Sequence, residues 1–371
     1  MIRVLHTESS RNMGGQELRI LTEMEGLQAY GIESVLAARE GTPILDEAQR
    51  RGLRAFPLRI RSSADPRAIR RLMRIMREER VDVVNAHGSK DGWNAALAAL
   101  LLRRKFVRSR HVANPIRTGP IARMIYGALA DRVLTTSESI KAGMVERGVD
   151  PARIVSIPTG VDTGRFHPDV ARGRFRAELG IPADAPLVGM VSVLRGDKGP
   201  DVFLRAAERV AAHIDDAHFA LVGDGWMRGQ LEESVAASPY RERIHITGYR
   251  RDIPSVMADL DVYVLSARIP EGVPQAILQA LAMKVPVVAS DVGGINEVAI
   301  PGHTALGFPA GDVASLVEAI LACLRDRQAA AARAAAGIRL VHERYSLAAT
   351  LKRMAALYRE LVGDRAGSAA S

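Results

Sequence analysis

The chain has 371 residues, of which 47% are hydrophobic and 25% charged, with a formal net charge of +9. Those values fit a soluble globular protein of about two domains and exclude disorder, collagen and coiled coil as its main state. The longest apolar run, 95–102, ends at Arg103, well short of the ~20 residues a membrane-spanning helix needs.

The first half opens with a predicted strand at 2–6, then the pair Gly14-Gly15, then a helical pattern from Glu17 carried by Leu18, Leu21, Met24 and Leu27. Further strand-like runs fall at 34–38, 81–86, 106–113 and 132–136, with helical stretches between them. This alternation predicts parallel βαβ units with helices on both faces of a sheet. The pattern restarts after a hinge at 158–168. Strands are expected at 187–194, 219–222, 244–247, 262–266 and 285–289, with a helix at 202–213. The fold class is therefore α/β, with two doubly wound domains at 1–167 and 168–345. A C-terminal helix at 346–362 is expected to pack back on the first domain, and a tail at 363–371 to be disordered. The start of the chain, MIRVLHTESS, carries no pattern of a cleavable leader. The single cysteine, Cys323, can form neither an internal disulfide nor a cysteine-rich metal site, so the expected compartment is a reducing cytoplasm.

The excess charge sits in the first half. Residues 1–165 hold 28 basic and 18 acidic side chains, and the remainder 23 and 24. Residues 50–80 alone hold eleven arginines against Asp65, Glu78 and Glu79. In PRAIRRLMRIMREER an apolar stripe of Ile69, Leu72, Met73 and Met76 is flanked by Arg67, Arg70, Arg71, Arg74 and Arg77. One reading is a core-facing helix with a solvated basic back. The other is a surface for anionic lipid headgroups, where each basic residue contributes about 1 kcal/mol, and the cluster RRKFVRSR at 103–110 points the same way. Nucleic acid is not expected as the partner: there is no zinc-ligand spacing or ribonucleoprotein motif, and only 4% aromatic residues are available to stack bases.

In open parallel sheets ligands sit beyond the carboxyl ends of the strands, so the chemistry is sought there. Gly14-Gly15 precedes a helix whose free N–H groups can meet an anion, although a Gly-Gly pair is also an ordinary turn. It lacks the GxGxxG spacing of a dinucleotide fold. Arg195 and Lys198, in RGDKGPD, can clamp a diphosphate or simply form a solvated loop. Gly223-Asp224-Gly225 is either a tight strand-to-helix turn or a glycine floor under a nucleotide. In EGVPQAILQALAMKVPVVASDVGGINE, Glu271 is expected to open a helix with Gln279 two turns on, both facing one side. The amides of Gly272 and Val273 can meet a phosphate, whereas Pro274 has none to offer. Gly293-Gly294 is expected to lead into a helix starting at Glu297. His87 and His111 each lie near the end of a first-domain strand, as structural or as site residues. No spacing suggests a bound metal, and there is no GxSxG or Walker motif.

The order of these segments is more specific than any one of them. GGQE, IPTGVDTGRFHP, RGDKG, LVGDGWMRGQLE, ITGYRRDIP and the long glutamate segment follow one another, and the series resembles the family-4 glycosyltransferases of the GT-B fold. The likeness extends to about residue 362, and 160–168 is similar to that family's interdomain signature. It implies two Rossmann-like domains facing across a cleft, and a retaining transferase that moves a sugar from a nucleotide diphosphate donor to an acceptor hydroxyl. No cofactor and no metal are implied, because protein cations neutralise the departing diphosphate. By position, Arg195 and Lys198 match that cationic pair, and Glu271 the first glutamate of the family's Glu-x7-Glu motif, which contacts the sugar. His111 matches a first-domain histidine near the reacting sugar. Gly14 and Gly15 match the loop that closes on the diphosphate. Gly223, Gly272 and Val273 fall in donor-binding segments, and the backbone at Tyr249 and Arg250 matches the part that receives the base. Gln279 departs from the pattern, since a glutamate there usually grips the ribose.

The implied acceptor is a lipid-linked, lipopolysaccharide or exopolysaccharide intermediate, met at the cytoplasmic face of the inner membrane through a peripheral contact with anionic lipid. A soluble transferase acting on a small metabolite is the alternative. A catalytically silent nucleotide-sugar-binding subunit is a third reading, favoured by Gln279 alone.

Overall fold

The computed structural model describes residues 1–111, 116, 119 and 123–368, with side chains described as far as Gly363. It divides into two compact units: Met1–Thr159 with Ala348–Ser371, and Gly160–Leu347. The first junction falls ahead of the sequence-based boundary at 167/168, because 160–167 belongs with the second unit.

The first unit is built on a seven-stranded sheet in the order β3-β2-β1-β4-β5-β6-β7. Its strands are β1 (Ile2–Glu8), β2 (Ile32–Arg39), β3 (Ala55–Leu58), β4 (Val83–Ala86), β5 (Lys105–Arg110), β6 (Arg132–Thr135) and β7 (Ile154–Ser156). Every pairing is parallel. The second unit has a six-stranded sheet in the order β10-β9-β8-β11-β12-β13, again all parallel. These are β8 (Leu187–Val191), β9 (His218–Val222), β10 (Ile244–Gly248), β11 (Val262–Leu265), β12 (Val287–Ser290) and β13 (Leu306–Phe308). Each sheet reverses its strand order beside its first strand, at β1/β4 and at β8/β11. Such a switch point opens a crevice at the carboxyl edge.

Parallel strands buried on both faces read as continuous apolar runs. Val262, Tyr263, Val264 and Leu265 of β11 are all buried accordingly. The strands β3, β7 and β13, absent from the sequence reading, are short edge strands, and such runs are too brief to stand out by periodicity. The predicted strand at 106–113 ends at Arg110, and 112–113 lie outside the described residues.

The arginine-rich segment is a helix, Pro66–Glu78, capped by Asp65, whose carboxylate accepts from the backbone N–H groups of Arg67 and Ala68. Its fully buried stripe is Ala68, Leu72, Ile75 and Met76. Ile69 and Met73 are only half-buried, so the core face is turned slightly from the predicted one. Arg67, Arg70, Arg74 and Arg77 are exposed. The last helix runs Leu347–Ser368. The stretch expected as a disordered tail is thus helical to Ser368, and 369–371 lie outside the described residues. This helix contributes to the first unit: Tyr358 is fully buried and accepts a hydrogen bond at 2.8 Å from the Asn85 amide. Among the described residues no helix is long and apolar enough to cross a membrane.

Candidate functional site

In the second unit, loops from four neighbouring strands are bound together at the carboxyl edge of the sheet. After β8 the chain passes Arg195, makes a single turn at Gly196–Lys198, and enters the helix Pro200–Ala211. Gly199 joins turn to helix at φ +65°, and a Cβ there would fall 2.1 Å from the carbonyl oxygen of Ser266. Ser266, just past β11, donates its hydroxyl to Gly199 O at 2.7 Å. That close approach brings Lys198 to Glu271, and the ammonium and carboxylate form an ion pair. Glu271 is held from the other side by the loop after β12. Gly294 N donates to Glu271 O at 2.8 Å, and a Cβ on Gly293 would come within 2.9 Å of the Glu271 backbone. After β9, Gly223 sits at φ +142°, with Ser192 O only 1.8 Å from where a Cβ would stand.

The two cations differ in setting. The Lys198 and Glu271 side chains are 19% and 18% exposed, whereas that of Arg195 is 48% exposed and pairs with Asp197 at 2.8 Å. The second carboxylate oxygen of Glu271, Oε1, is buried without a hydrogen-bond partner among the described residues. A buried carboxylate oxygen without a donor is costly, and a ligand hydroxyl is the group that would satisfy it.

Glu271 does not open the helix. The helix is Gln275–Ala282, with Pro274 as its N-cap, and Glu271 lies in the preceding loop with Gly272 and Val273. The cause is Pro274, which drives the residue before it out of helical geometry. Gln279 is half-buried on that helix, and the helical same-face relation to Glu271 does not hold. Glu297 likewise ends, rather than starts, the short turn Gly293–Glu297. Tyr249 is exposed just past β10. The Arg250 guanidinium is fully occupied by Glu178 and Asp252 and lies 5.1 Å above the Phe175 ring. Those carboxylates push its pKa further up. At 249–250 the backbone and the exposed Tyr249 ring are therefore left to meet a ligand, and the Arg250 side chain is not.

In the first unit, the carboxyl ends of β1, β4 and β5 line a cavity of about 500 Å3 that includes Glu8, Gln16, His87, Lys90 and His111. Gly14 is the N-cap of the helix Gly15–Leu27, and its N–H donates to the Glu17 carboxylate at 2.8 Å. A Cβ on Gly15 would meet nothing within 4 Å, so open space borders the helix start. Glu8 accepts from the backbone N–H groups of Ser9 and Ser10, at 2.7 and 2.8 Å, and from the Gln16 amide. Burial and the neighbouring Asp91 carboxylate push the Glu8 carboxyl up to about 7. Asp91 is fully buried and accepts from Thr7 Oγ1 at 2.8 Å and Ser9 Oγ at 2.6 Å.

His111 belongs to a row of three stacked imidazoles. His6 Nδ1 meets His87 Nε2 at 3.0 Å, and His87 Nδ1 meets His111 Nε2 at 2.8 Å. Burial lowers the His6 pKa to about 3. It also holds His87 and His111 well below the ordinary histidine value, helped by nearby Arg19 and Arg108. Sequence reading missed Glu8, Asp91 and His6. Their signal is only that polar residues end the apolar strand β1 and open the helix after β4, where such residues also serve as ordinary caps. Among the described residues, no group of three or more His, Cys, Asp or Glu side chains is placed to hold a metal ion.

Comparison with known proteins agrees with this architecture. The model of Glycosyltransferase Family 4 matches residues 13–165, and that of Glycosyl transferases group 1 matches residues 185–326. An Escherichia coli UDP-Gal:alpha-D-GlcNAc-diphosphoundecaprenol alpha-1,3-galactosyltransferase is 27% identical over 88% of this chain and 89% of its own length. A 2-deoxystreptamine N-acetyl-D-glucosaminyltransferase of Streptomyces fradiae is 29% identical over 80% of this chain and 75% of its own. Among solved structures, Anabaena HepE in complex with UDP superposes with a TM-score of 0.86 at 20% identity, covering 97% of this chain and 100% of that one, a likeness of fold. The two parallel sheets, the order of the motifs and the matched family models together place the chain in glycosyltransferase family 4, as a glycosyltransferase of the GT-B fold.

Proposed function

We propose that the enzyme transfers a sugar from a nucleoside diphosphate donor to a hydroxyl of a lipid-linked or lipopolysaccharide-type glycan, with retention at the anomeric carbon. The observation that carries the chemistry is the pairing of Lys198 with Glu271 at the carboxyl edge of the second sheet, with the half-exposed Arg195 on the same loop as Lys198. In this reading the bond from the anomeric carbon to the diphosphate oxygen breaks as the acceptor oxygen attacks on the same face. The hydroxyl proton passes to the departing diphosphate. Lys198, Arg195 and the amides of Gly272 and Val273 meet the negative charge that grows there, an effect that acts most strongly in a site low in water. Glu271 offers its unpartnered oxygen to a sugar hydroxyl, and His111 contacts the sugar. Gly14 and Gly15 leave room for the diphosphate, Gly223, closed against the carbonyl of Ser192, shapes the floor under the donor, and the backbone at Tyr249 and Arg250 receives the base. At Gln279 the usual carboxylate is an amide, which accepts one ribose hydrogen bond without the charge. With cations supplied by the protein, no metal is required, and turnover persists in EDTA.

The E. coli relative's undecaprenol-linked acceptor supports a lipid-linked substrate here, and the exposed arginines of the helix Pro66–Glu78 supply a surface for anionic headgroups. In this reading the enzyme is a peripheral protein of the cytoplasmic membrane face. The Streptomyces relative favours a second reading, transfer to a small soluble acceptor. The first test is Arg195→Ala assayed for transfer. Loss of one preorganised positive contact to the leaving group lowers kcat by about a hundredfold or more, with the circular dichroism spectrum unchanged. Turnover close to wild type removes Arg195 from the site.

A further inference from the structure

The row of three imidazoles has a direction, and the direction decides what His111 can do. All three rings are held neutral near pH 7 by burial. Each neutral ring carries one proton, and each of the two ring-to-ring hydrogen bonds needs one donor and one acceptor. Only two arrangements meet both conditions. In one, every ring carries its proton on Nδ1: His6 donates to His87, His87 donates to His111, and His111 keeps an N–H to offer. In the other, every proton sits on Nε2. His111 then donates inward, and the last N–H is that of His6 Nε2.

The far end of the row decides between them. His6 is fully buried, and its Nε2 has no hydrogen-bond partner among the described residues. A buried N–H without an acceptor is rarer and more costly than a bare acceptor without a donor. The arrangement that ends in an N–H at His6 is therefore disfavoured. His111, by contrast, is half-buried and borders the cavity beside Glu8 and Lys90, where either end of a hydrogen bond can be used.

We propose that His6 and His87 are positioning residues that hold His111 in its Nδ1–H form, so that it meets the bound sugar as a hydrogen-bond donor and cannot act as a base. This rests on the reading that His111 contacts the sugar. It adds that His111 selects for an oxygen acceptor on the donor sugar and takes no proton from the incoming hydroxyl.

The test uses the full chain labelled with 15N-histidine. Two-bond 1H–15N correlation spectra between pH 6 and 8 assign the protonated nitrogen of each ring. The expected result is Nδ1–H on His6, His87 and His111, with no titration of His111 in that range. A bare Nδ1 on His111, or its protonation within the range, overturns the proposal. This measurement needs no variant. His87→Leu then removes the donor that fixes His111: both tautomers appear, and kcat falls about tenfold with the donor KM little changed. His87→Asn restores an N–H near the same point and recovers a single tautomer and most of the rate. A single Nδ1–H tautomer persisting in His87→Leu assigns the control elsewhere and overturns the positioning role. The underlying reading fails separately: His111→Phe at wild-type rate takes His111 away from the sugar and leaves the tautomer assignment to stand or fall on the spectra.

Discussion

At the scale of single residues, Glu8 sets a measurable pH dependence of stability. Its carboxyl is raised from 4.5 to about 7, first by burial and then by repulsion from Asp91. An acid whose pKa is higher folded than unfolded keeps its proton more readily in the native state. Its contribution is complete below about pH 4.5 and is lost as pH rises through about 7. The size of the shift corresponds to about 3 kcal/mol. Glu8→Gln keeps an oxygen for the Ser9 and Ser10 amides and removes the ionisation. Urea unfolding is expected to show the variant and the wild type equal near pH 4.5. The variant gains on the wild type as pH rises, by up to about 3 kcal/mol at pH 8. A constant difference across that range means that Glu8 does not carry the dependence. Residues of this kind were the least legible in the sequence. Arg195, Lys198 and Glu271 stand in motifs whose order is specific, but His6 and Asp91 acquire meaning only when β1 and β4 pair in parallel and bring His6 to His87 and Asp91 to Thr7 and Ser9.

At the scale of elements, the strand–turn–helix unit from β9 to the helix Arg228–Ala237 uses two glycines in opposite ways. Gly223 holds φ +142° with Ser192 O where a Cβ would stand, whereas a Cβ on Gly229, inside the helix, meets nothing within 4 Å. Gly223→Ala is expected to cost about 3 kcal/mol or more from strain and collision. Gly229→Ala should add about 0.5–1 kcal/mol by lowering backbone entropy loss. Thermal melts of the two variants check both signs, and equal shifts would refute the assignment of Gly223 to close loop packing. The same scale shows where sequence reading failed and why. A helix starting at Glu271 was expected from the spacing of apolar residues, but Pro274 sets the start at Gln275. The loop so released is the one that carries the carboxylate to Lys198. The arginine-rich helix was legible in position and in amphipathic character. Its buried stripe includes Ile75, because the stripe follows the neighbouring helix Ser89–Leu101 on which it packs and not the most regular apolar spacing.

For the whole molecule, the two α/β units and their parallel pairing were legible from the strand–helix alternation and its restart, whereas the order of the strands in each sheet comes from the structure. The edge strands β3, β7 and β13 were not legible, since three or four residues carry too little pattern. Nor was the point at which the chain changes units. Residues 160–347 form the second unit between two parts of the first, and the ends of that insertion are tied to each other. Val161 N donates to Tyr345 O at 2.8 Å, and Leu347 N to Val161 O at 2.7 Å. The first unit needs its last helix: Leu351 packs where Gly26 leaves room for no Cβ, and Tyr358 bonds Asn85. A consequence follows for synthesis on the ribosome. The part translated first must wait for the final two dozen residues before its core can close, while the inserted part is complete earlier and can mature ahead of it. A nascent chain arrested after Leu347 is expected to yield a protease-resistant fragment spanning 160–347 and an N-terminal portion that is digested, and protection of both would show that the terminal helix is dispensable for closing that core.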